Sequence, residues 1–160
     1  MADVRECLEG RDFKRVTTFI QSGNVLFESD KSDVARLTSA MEKTLATTFG
    51  HEVPVFLLSQ VQLKKIVAQA PKEWKTGAAL RQNIAFLRAP VTVKQALAGF
   101  DPRPEVDFVK AGDGVVYMST VMSRLKQSRF PKIVGTPVYS GMTIRTYSTC
   151  QKILALMQDE

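Results

Sequence analysis

A turn between two β-type runs occurs twice in this chain, and the repeat limits the folds that the chain can adopt. In the first copy, Ser22-Gly23-Asn24 separates the runs 16–19 and 25–27. Gly and Asn accept the positive φ angles that a tight hairpin turn requires. The second copy places Gly112-Asp113-Gly114 between two further runs, and equivalent residues lie 90 positions apart, as in the pairs Val16 and Val106, Val25 and Val115, and Ser29 and Ser119. The pattern therefore predicts one structural unit written twice.

Apolar spacing and capping residues divide the remaining sequence into short elements. In the first half they predict a helix over 2–9, strands near 15–21 and 25–28, a helix from Asp30 or Ser32 to Phe49, a strand over 53–58 and a helix from Ser59 to Ala70. In the second half they predict a strand over 83–87, a helix over 92–98, a hairpin over about 105–119, a helix from Ser123 or Ser128 to Val134, a strand over 142–146 and a final helix capped by Ser148 or Thr149.

This order of elements predicts an α+β fold made of two ferredoxin-like (β-α-β-β-α-β) halves in tandem, with antiparallel sheets covered by helices. The first half spans residues 1–71, a polar linker 72–81 and the second half 82–160. The first half lacks its opening strand, which is central in this topology. We therefore expect a gapped or rearranged first sheet, a homo-oligomer formed by strand addition, or a protein whose start lies upstream.

The charge of the chain is unevenly distributed. The formal net charge is +6, of which residues 1–80 carry +1 and residues 81–160 carry +5. No acidic residue occurs from 114 to 158, where six basic residues lie: Arg124, Lys126, Arg129, Lys132, Arg145 and Lys152. Such a segment favours an anionic partner by long-range attraction, although it equally suits a solvated face that keeps the protein in solution.

The sequence also indicates a cytoplasmic protein. No apolar run approaches the ~18 residues of a membrane span, and the first residues lack the apolar core of a signal peptide. Cys7 and Cys150 are isolated, without metal-ligand spacing, so reduced thiols are expected.

Residues 18–29, Thr-Phe-Ile-Gln-Ser-Gly-Asn-Val-Leu-Phe-Glu-Ser, resemble the signature of a bacterial family, domain of unknown function sixteen-ninety-seven, whose members typically carry a TYIQSGNVVFES segment. The resemblance covers essentially the whole chain and implies a duplicated α+β fold. Members usually begin with a strand and loop resembling LLRGINVGG, which is absent here. In the C-terminal RNWNT element of the family, this chain has Thr146, Tyr147 and Ser148 in place of Asn, Trp and Asn. The family supplies no established activity.

Three groups of residues are candidates for anion binding. The first is the strand-to-helix junction, where an arginine, an aromatic ring and hydroxyls meet a helix N-terminus: Arg145, Thr146, Tyr147, Ser148 and Thr149. The second is a pair of cations at the start of a predicted helix, Arg124 and Lys126, and the third is the first hairpin tip with Gln21, Ser22 and Asn24. Capping, a solvated loop and turn chemistry respectively explain the same residues without a ligand.

We interpret the protein as a binding module for an anionic ligand, such as a nucleotide, a nucleic acid or a phosphorylated metabolite. The alternative is a small enzyme acting on a phosphorylated or carboxylated metabolite, with Arg145 orienting the substrate and Tyr147 or Ser148 near the chemistry. No acid–base pair accompanies these residues, so no catalytic residue is nominated. No P-loop, dinucleotide fingerprint or metal-binding motif occurs in the sequence, and it specifies no cofactor.

Overall fold

A computed structural model describes residues 2–9, 13–19, 23–77 and 79–158. It is a mixed α/β structure with antiparallel sheets and helices, as predicted. It divides into two compact units, Met1–Ser59 with Leu156–Glu160, and Gln60–Ala155. Among the described residues, no helix combines the length and apolarity that crossing a membrane requires.

The elements follow one another as α1 (Ala2–Leu8), β1 (Lys14–Phe19), β2 (Asn24–Glu28), α2 (Val34–Phe49), α3 (Gln60–Ala68), β3 (Leu80–Leu87), α4 (Val93–Gly99), β4 (Asp107–Ala111), β5 (Val115–Val121), β6 (Met142–Thr146) and α5 (Tyr147–Leu156). Four 3₁₀ segments accompany them at Lys72–Lys75, Met122–Gln127, Phe130–Gly135 and Pro137–Gly141.

The first unit is a β-hairpin with two helices. β1 and β2 pair antiparallel with Thr18 opposite Val25, and Gly23 adopts a φ of 82° in the turn, which confirms the predicted hairpin. Apolar side chains from α1, the hairpin and α2 form one buried cluster, which we call the first core: Leu8, Phe13, Val16, Leu37, Met41 and Leu45.

Helix α2 begins later than predicted. The Asp33 carboxylate accepts a hydrogen bond from the Arg36 N–H at 3.0 Å, so Asp33 is the N-cap in place of Asp30 or Ser32. A carboxylate at this position satisfies an otherwise unpaired N–H and favours the positive end of the helix dipole. Gly50 ends the helix in a left-handed conformation with a φ of 73°, which glycine adopts at low cost because it has no Cβ atom.

The predicted strand over 53–58 is wrong, because these residues belong to no β-ladder in the part of the chain that the structure describes. Their alternation of apolar residues is real: Val53, Val55 and Leu57 lie against the first core. A strand needs a neighbour as well as a pattern, and here the Val55 N–H donates to the Glu42 carboxylate at 2.9 Å. A side chain thus replaces the backbone partner that a sheet would provide.

The second unit is built on a four-stranded antiparallel sheet with the order β4-β5-β3-β6. β3 is paired on both edges, with Ala85 opposite Val116 in β5 and opposite Ile144 in β6. Helix α4 covers one face; it begins with a capping box in which Thr92 and Gln95 bond reciprocally. The buried residues on this face form the second core: Ala85, Ala96, Phe100, Val116, Met118, Phe130, Ile133 and Met142.

The predicted helix from Ser123 or Ser128 to Val134 is also wrong. Residues 122–141 form three 3₁₀ segments, and Arg124 inside the first has non-helical angles (φ −122°, ψ 19°). Pro131 is the second residue of one segment and Pro137 is the first residue of the next, because proline lacks the N–H that a continuing α-helix needs. The chain therefore covers the sheet with short turns in place of one helix.

Along the chain, the first boundary between the two units falls between Ser59 and Gln60, whereas the sequence predicted a linker at 72–81. Helix α3 is counted with the second unit because Tyr117 of β5 donates a hydrogen bond to the Ile66 carbonyl. Trp74, inside the stretch interpreted as a polar linker, is buried. β3 begins at Leu80, three residues before the predicted strand.

Asp107 holds the 3₁₀ segments against the sheet. Its buried carboxylate accepts hydrogen bonds from the Ser128 hydroxyl at 2.7 Å and the Thr120 hydroxyl at 2.9 Å. The backbone N–H groups of Arg129 and Arg103 donate to its other oxygen at 2.8 and 3.1 Å. Burial alone would raise the pKa of Asp107, but these four bonds outweigh it and lower the pKa.

Replacing Asp107 with Asn should destabilise the protein by roughly 3 kcal/mol, because bonds to a buried carboxylate are lost and donors remain unpaired. The folded-state pKa lies below the unfolded value, so the contribution of the carboxylate is complete above pH 3.8. It is lost as the pH falls from there through the folded-state pKa. Urea denaturation of the wild type and of the Asp107→Asn variant between pH 7 and pH 3 measures the free energy of unfolding of each. The difference in this free energy between the two proteins should shrink below about pH 4.

Asp101→Asn is the matched control, because Asp101 forms exposed ion pairs with Arg129 and Lys132. We expect it to cost less than about 1 kcal/mol. Equal losses for the two variants would contradict the role assigned to Asp107.

A candidate anion-binding junction

The five predicted residues 145–149 lie at the junction of β6 and α5, which brings three of their side chains together. Thr146 is the last residue of β6 and lies opposite Asn83 of β3, while Arg145 lies opposite Ile84. Tyr147 directly begins α5. With no loop between the strand and the helix, the sheet fixes the position of the helix N-terminus.

Three hydroxyls meet in the first turn of α5. The Thr146 Oγ1 atom accepts a hydrogen bond from the Thr149 N–H at 3.2 Å. The same atom lies 3.1 Å from the Ser148 Oγ and 2.8 Å from the Thr149 Oγ1. Thr146 is therefore the N-cap, and the predicted caps Ser148 and Thr149 are wrong by two or three positions. The two later hydroxyls are members of the cluster that the cap organises.

Arg145 is held along its own strand. Its Nη1 atom donates to the Thr143 hydroxyl and to the Ile144 carbonyl, each at 2.9 Å, and the side chain is half-buried. The guanidinium also influences Cys150, one turn into α5. Burial raises the pKa of the Cys150 thiol to about 11, although the charge of Arg145 acts in the opposite direction. The thiol is therefore protonated at neutral pH.

Tyr147 does not offer the predicted stacking surface, because it is only 7% exposed. Its ring meets the Trp74 ring edge-on with centroids 5.1 Å apart, and its hydroxyl donates to the Val67 carbonyl at 3.4 Å. Burial raises the pKa of the Tyr147 hydroxyl. This side chain belongs to the interior of the second unit.

Sequence reasoning missed the aromatic cluster formed by Trp74, Tyr117 and Tyr147. Trp74 also meets Tyr117 edge-on at 5.8 Å, and the Tyr117 hydroxyl donates to the Ile66 carbonyl at 2.7 Å. Ile66 and Val67 lie in the last turn of α3, whose carbonyls lack partners within the helix. Two tyrosine hydroxyls thus cap the C-terminus of α3. The signal was the only tryptophan of the chain, set in an otherwise polar stretch.

Arg124 and Lys126 lie apart from the hydroxyl cluster, on the exposed 3₁₀ segment Met122–Gln127. That segment follows β5, whose last residue lies opposite Leu80 of β3. Thr146 also lies near this end of β3. The register therefore places the two cations and the junction at the same end of the sheet, on either side of β3.

The hairpin-tip candidates are different. Gln21 and Ser22 lie outside the described residues, and the Asn24 side chain donates to the Phe19 carbonyl at 3.1 Å. This bond closes the hairpin, as the turn interpretation predicts. Within residues 2–9, 13–19, 23–77 and 79–158, no three metal-ligating side chains come together.

Five of the six cations of the acid-free segment divide into two groups, and the sixth, Arg145, bonds to Thr143 and Ile144 of its own strand. Arg129 and Lys132 approach the Asp101 carboxylate at 3.3 and 3.7 Å. For Arg124, Lys126 and Lys152, the described part of the chain provides no ion pair. The positive charge without an ion pair therefore lies on the segment Met122–Gln127, which follows β5, and on α5.

Comparison with known proteins agrees with the fold and assigns no activity. The model of a family described as "Protein of unknown function (DUF1697)" matches residues 1–117. The solved structure of a conserved bacterial protein, SP0830 from Streptococcus pneumoniae, is similar with a TM-score of 0.84 and 23% identity, over 99% of this chain and 88% of that one. A search of curated proteins found no match.

Tyr117→Phe should destabilise the protein by about 1–2 kcal/mol, because it leaves a buried helix-terminal carbonyl without its donor. Tyr147→Phe, which removes a longer bond at 3.4 Å, should cost less than 1 kcal/mol. Urea denaturation followed by Trp74 fluorescence measures both. The reverse ranking of the two variants would show that the hydroxyls do not cap α3.

Proposed function

We infer that this chain, which belongs to the DUF1697 family of proteins of unknown function, binds the phosphate or carboxylate group of an anionic ligand at the β6–α5 junction. The observation that carries the proposal is the cluster of the Thr146, Ser148 and Thr149 hydroxyls in the first turn of a ten-residue helix. Hydroxyls and N–H groups at a helix N-terminus are the donors that such an anion requires.

Two further features support this proposal. The guanidinium of Arg145 is fixed by its bonds to Thr143 and Ile144, so its position is set before a ligand arrives and little side-chain entropy is lost on binding. Arg124 and Lys126 add positive charge at the same end of the sheet, which attracts anions over distances of about 10 Å at moderate salt.

Binding is favoured over the alternative of a small enzyme. Two ionisable groups in the first turn of α5, the Tyr147 phenol and the Cys150 thiol, both have raised pKa values. Each is therefore protonated at neutral pH, and neither is a general base or an activated nucleophile there. Because Tyr147 is buried, the proposed ligand is recognised through its anionic group and not by stacking on this ring.

We also propose that the two units repeat one ferredoxin-like pattern. The second unit has the spatial strand order β4-β5-β3-β6. Numbered within the unit from β3 as strand 1, this order is 2-3-1-4, and α4 connects β3 to β4. The first unit contains the corresponding helix, hairpin and second helix. The free thiols Cys7 and Cys150 are consistent with the proposed cytoplasmic location.

The test is a thermal-shift series with inorganic phosphate, a mononucleotide and a single-stranded oligonucleotide at low and high salt. An anion at a hundredfold excess over its Kd should stabilise the protein by about 2.7 kcal/mol, a shift of several degrees in Tm. An oligonucleotide response that falls steeply with salt would identify nucleic acid as the ligand, because bound counterions are released.

Arg145→Ala and Ser148→Ala should each reduce the shift, and the Ser148 variant leaves the Thr146 cap intact. Lys152→Ala is the matched control, because it removes an equal charge from the exposed middle of α5 and should respond like the wild type. The proposal fails if no anion raises Tm at low salt, or if all three variants respond alike.

A further inference from the structure

Two polar side chains of β3 lie beside the hydroxyl cluster of the β6–α5 junction. Asn83 lies opposite Thr146 in the ladder between β3 and β6, so their side chains share one face of the sheet, with Cβ atoms about 5 Å apart. Arg81 is on the same face, two residues or about 7 Å further along β3. Asn83 and Thr146 are the last pair of that ladder, so Arg81 extends beyond the end of β6.

This face of β3 changes from apolar to polar at Asn83. Ala85 and Leu87 lie on the same face and pack in the second core, whereas Asn83 is half-buried and Arg81 is exposed. Among the residues that the structure describes, neither polar side chain has a hydrogen-bond or ion-pair partner. Asparagine is one of the residues least favoured in strands. The stability of β3 therefore does not explain why Asn83 stands there.

The sheet also brings a basic segment to Arg81. The Met122 N–H, directly after β5, donates to the Ala79 carbonyl at 2.9 Å, two residues before Arg81. This bond starts the 3₁₀ segment Met122–Gln127 next to β3. Arg124 and Lys126 of this segment are exposed, so three cations lie at one end of the sheet.

Three acidic residues near this end do not cancel the charge of Arg81. Asp107 and Glu105 lie in or before β4, two strands from β3, so their backbones are about 10 Å or more from that of Arg81. That distance equals the screening length at moderate salt, and four donors already bond the Asp107 carboxylate. Glu73 lies in the segment Lys72–Lys75, whose two lysines outweigh its charge.

We propose that Arg81 and Asn83 form a second phosphate-binding subsite beside the junction, so that the ligand carries two or more neighbouring phosphate groups. The inference rests on the proposed function, which assigns the first anionic group to the hydroxyl cluster. The Arg81 guanidinium donates two parallel hydrogen bonds to one phosphate, a geometry that arginine provides and lysine does not. The Asn83 amide supplies one more donor between the two groups.

Neighbouring phosphates occur in nucleoside diphosphates and in the backbone of a nucleic-acid strand. In a diphosphate, the anionic part of the ligand ends at Arg81. In a nucleic-acid strand, further phosphates continue toward Arg124 and Lys126, which lie at the same end of the sheet. A ligand with a single phosphate leaves Arg81 unused.

The test measures the affinity of the full chain for inorganic phosphate and for pyrophosphate by isothermal titration calorimetry in one low-salt buffer. The wild type should bind pyrophosphate at least about tenfold more tightly than phosphate. Arg81→Gln should raise the Kd for pyrophosphate at least about tenfold and the Kd for phosphate less than about twofold. Arg81→Lys should restore only part of the loss, because it keeps the charge without the planar fork.

Lys110→Gln is the matched control. It removes an equal charge from an exposed position on the other face of the sheet, where Lys110 lies opposite Tyr117, and both affinities should stay within about twofold of the wild type. Equal losses for Arg81→Gln and Lys110→Gln, equal losses for the two anions, or no preference of the wild type for pyrophosphate would overturn the subsite and leave the first site standing. If neither anion binds, the proposed function fails as well.

ADP and a single-stranded oligothymidylate of about eight nucleotides distinguish the two sources of neighbouring phosphates. If the ligand is a nucleic-acid strand, replacing Arg124 and Lys126 together with Gln should weaken oligonucleotide binding at least about tenfold, reduce its salt slope by about 1.4 and leave ADP binding unchanged. If the ligand is a nucleoside diphosphate, ADP should bind more tightly than the oligonucleotide, and Arg81→Gln alone should remove most of its affinity.

Discussion

Pairing on both edges of β3 is the constraint on which the second unit depends. The strand is bonded to β5 along seven residue pairs and to β6 along five, and both of its faces are covered. Tyr117, opposite Ile84, reaches the end of α3, while Val116, opposite Ala85, lies in the second core. β6 is held by its pairing with β3 and leads directly into α5, so the geometry of the candidate site follows from this one strand.

The features that the sequence predicted correctly are those set by neighbouring residues. The first hairpin follows from Gly23 and Asn24, and the bounds of β6 match the prediction. The capping box of α4 begins at the predicted Thr92. Each of these depends on backbone conformations or hydrogen bonds within a few residues. The prediction of a strand over 53–58 failed because a strand needs a neighbouring strand as well as apolar alternation. The alternation can be read from nearby residues, but the presence of a neighbouring strand cannot.

The candidate site shows the same division. Its location at a strand-to-helix junction was predictable, because Ser and Thr cluster where an apolar strand pattern changes to a helical one. The actual cap, Thr146, and the burial of Tyr147 were not. Whether an aromatic ring at a helix start faces solvent or the interior depends on what lies opposite, and here α3 presents the Val67 carbonyl. That carbonyl comes from a helix 80 residues away, and no sequence pattern near Tyr147 announces it.

The 90-residue repeat does not align the residues that face the two cores. Val25 and Phe27 face the first core, whereas the residues of β5 that face the second core are Val116 and Met118, 91 positions later. In the helices, Val4 and Cys7 correspond by contact to Val93 and Ala96, 89 positions later. Because a shift of one residue turns a strand over, the alignment at 90 assigns the strand residues to the wrong face, and the positive-φ glycines of the two turns, Gly23 and Gly114, are likewise 91 positions apart. A spacing of 90 lies between the 91 residues that separate equivalent strand positions and the 89 that separate equivalent helix positions. The segment between the helix and the hairpin is therefore two residues longer in the second unit than in the first. Residues of the first unit must therefore be compared with the second by the core that they contact.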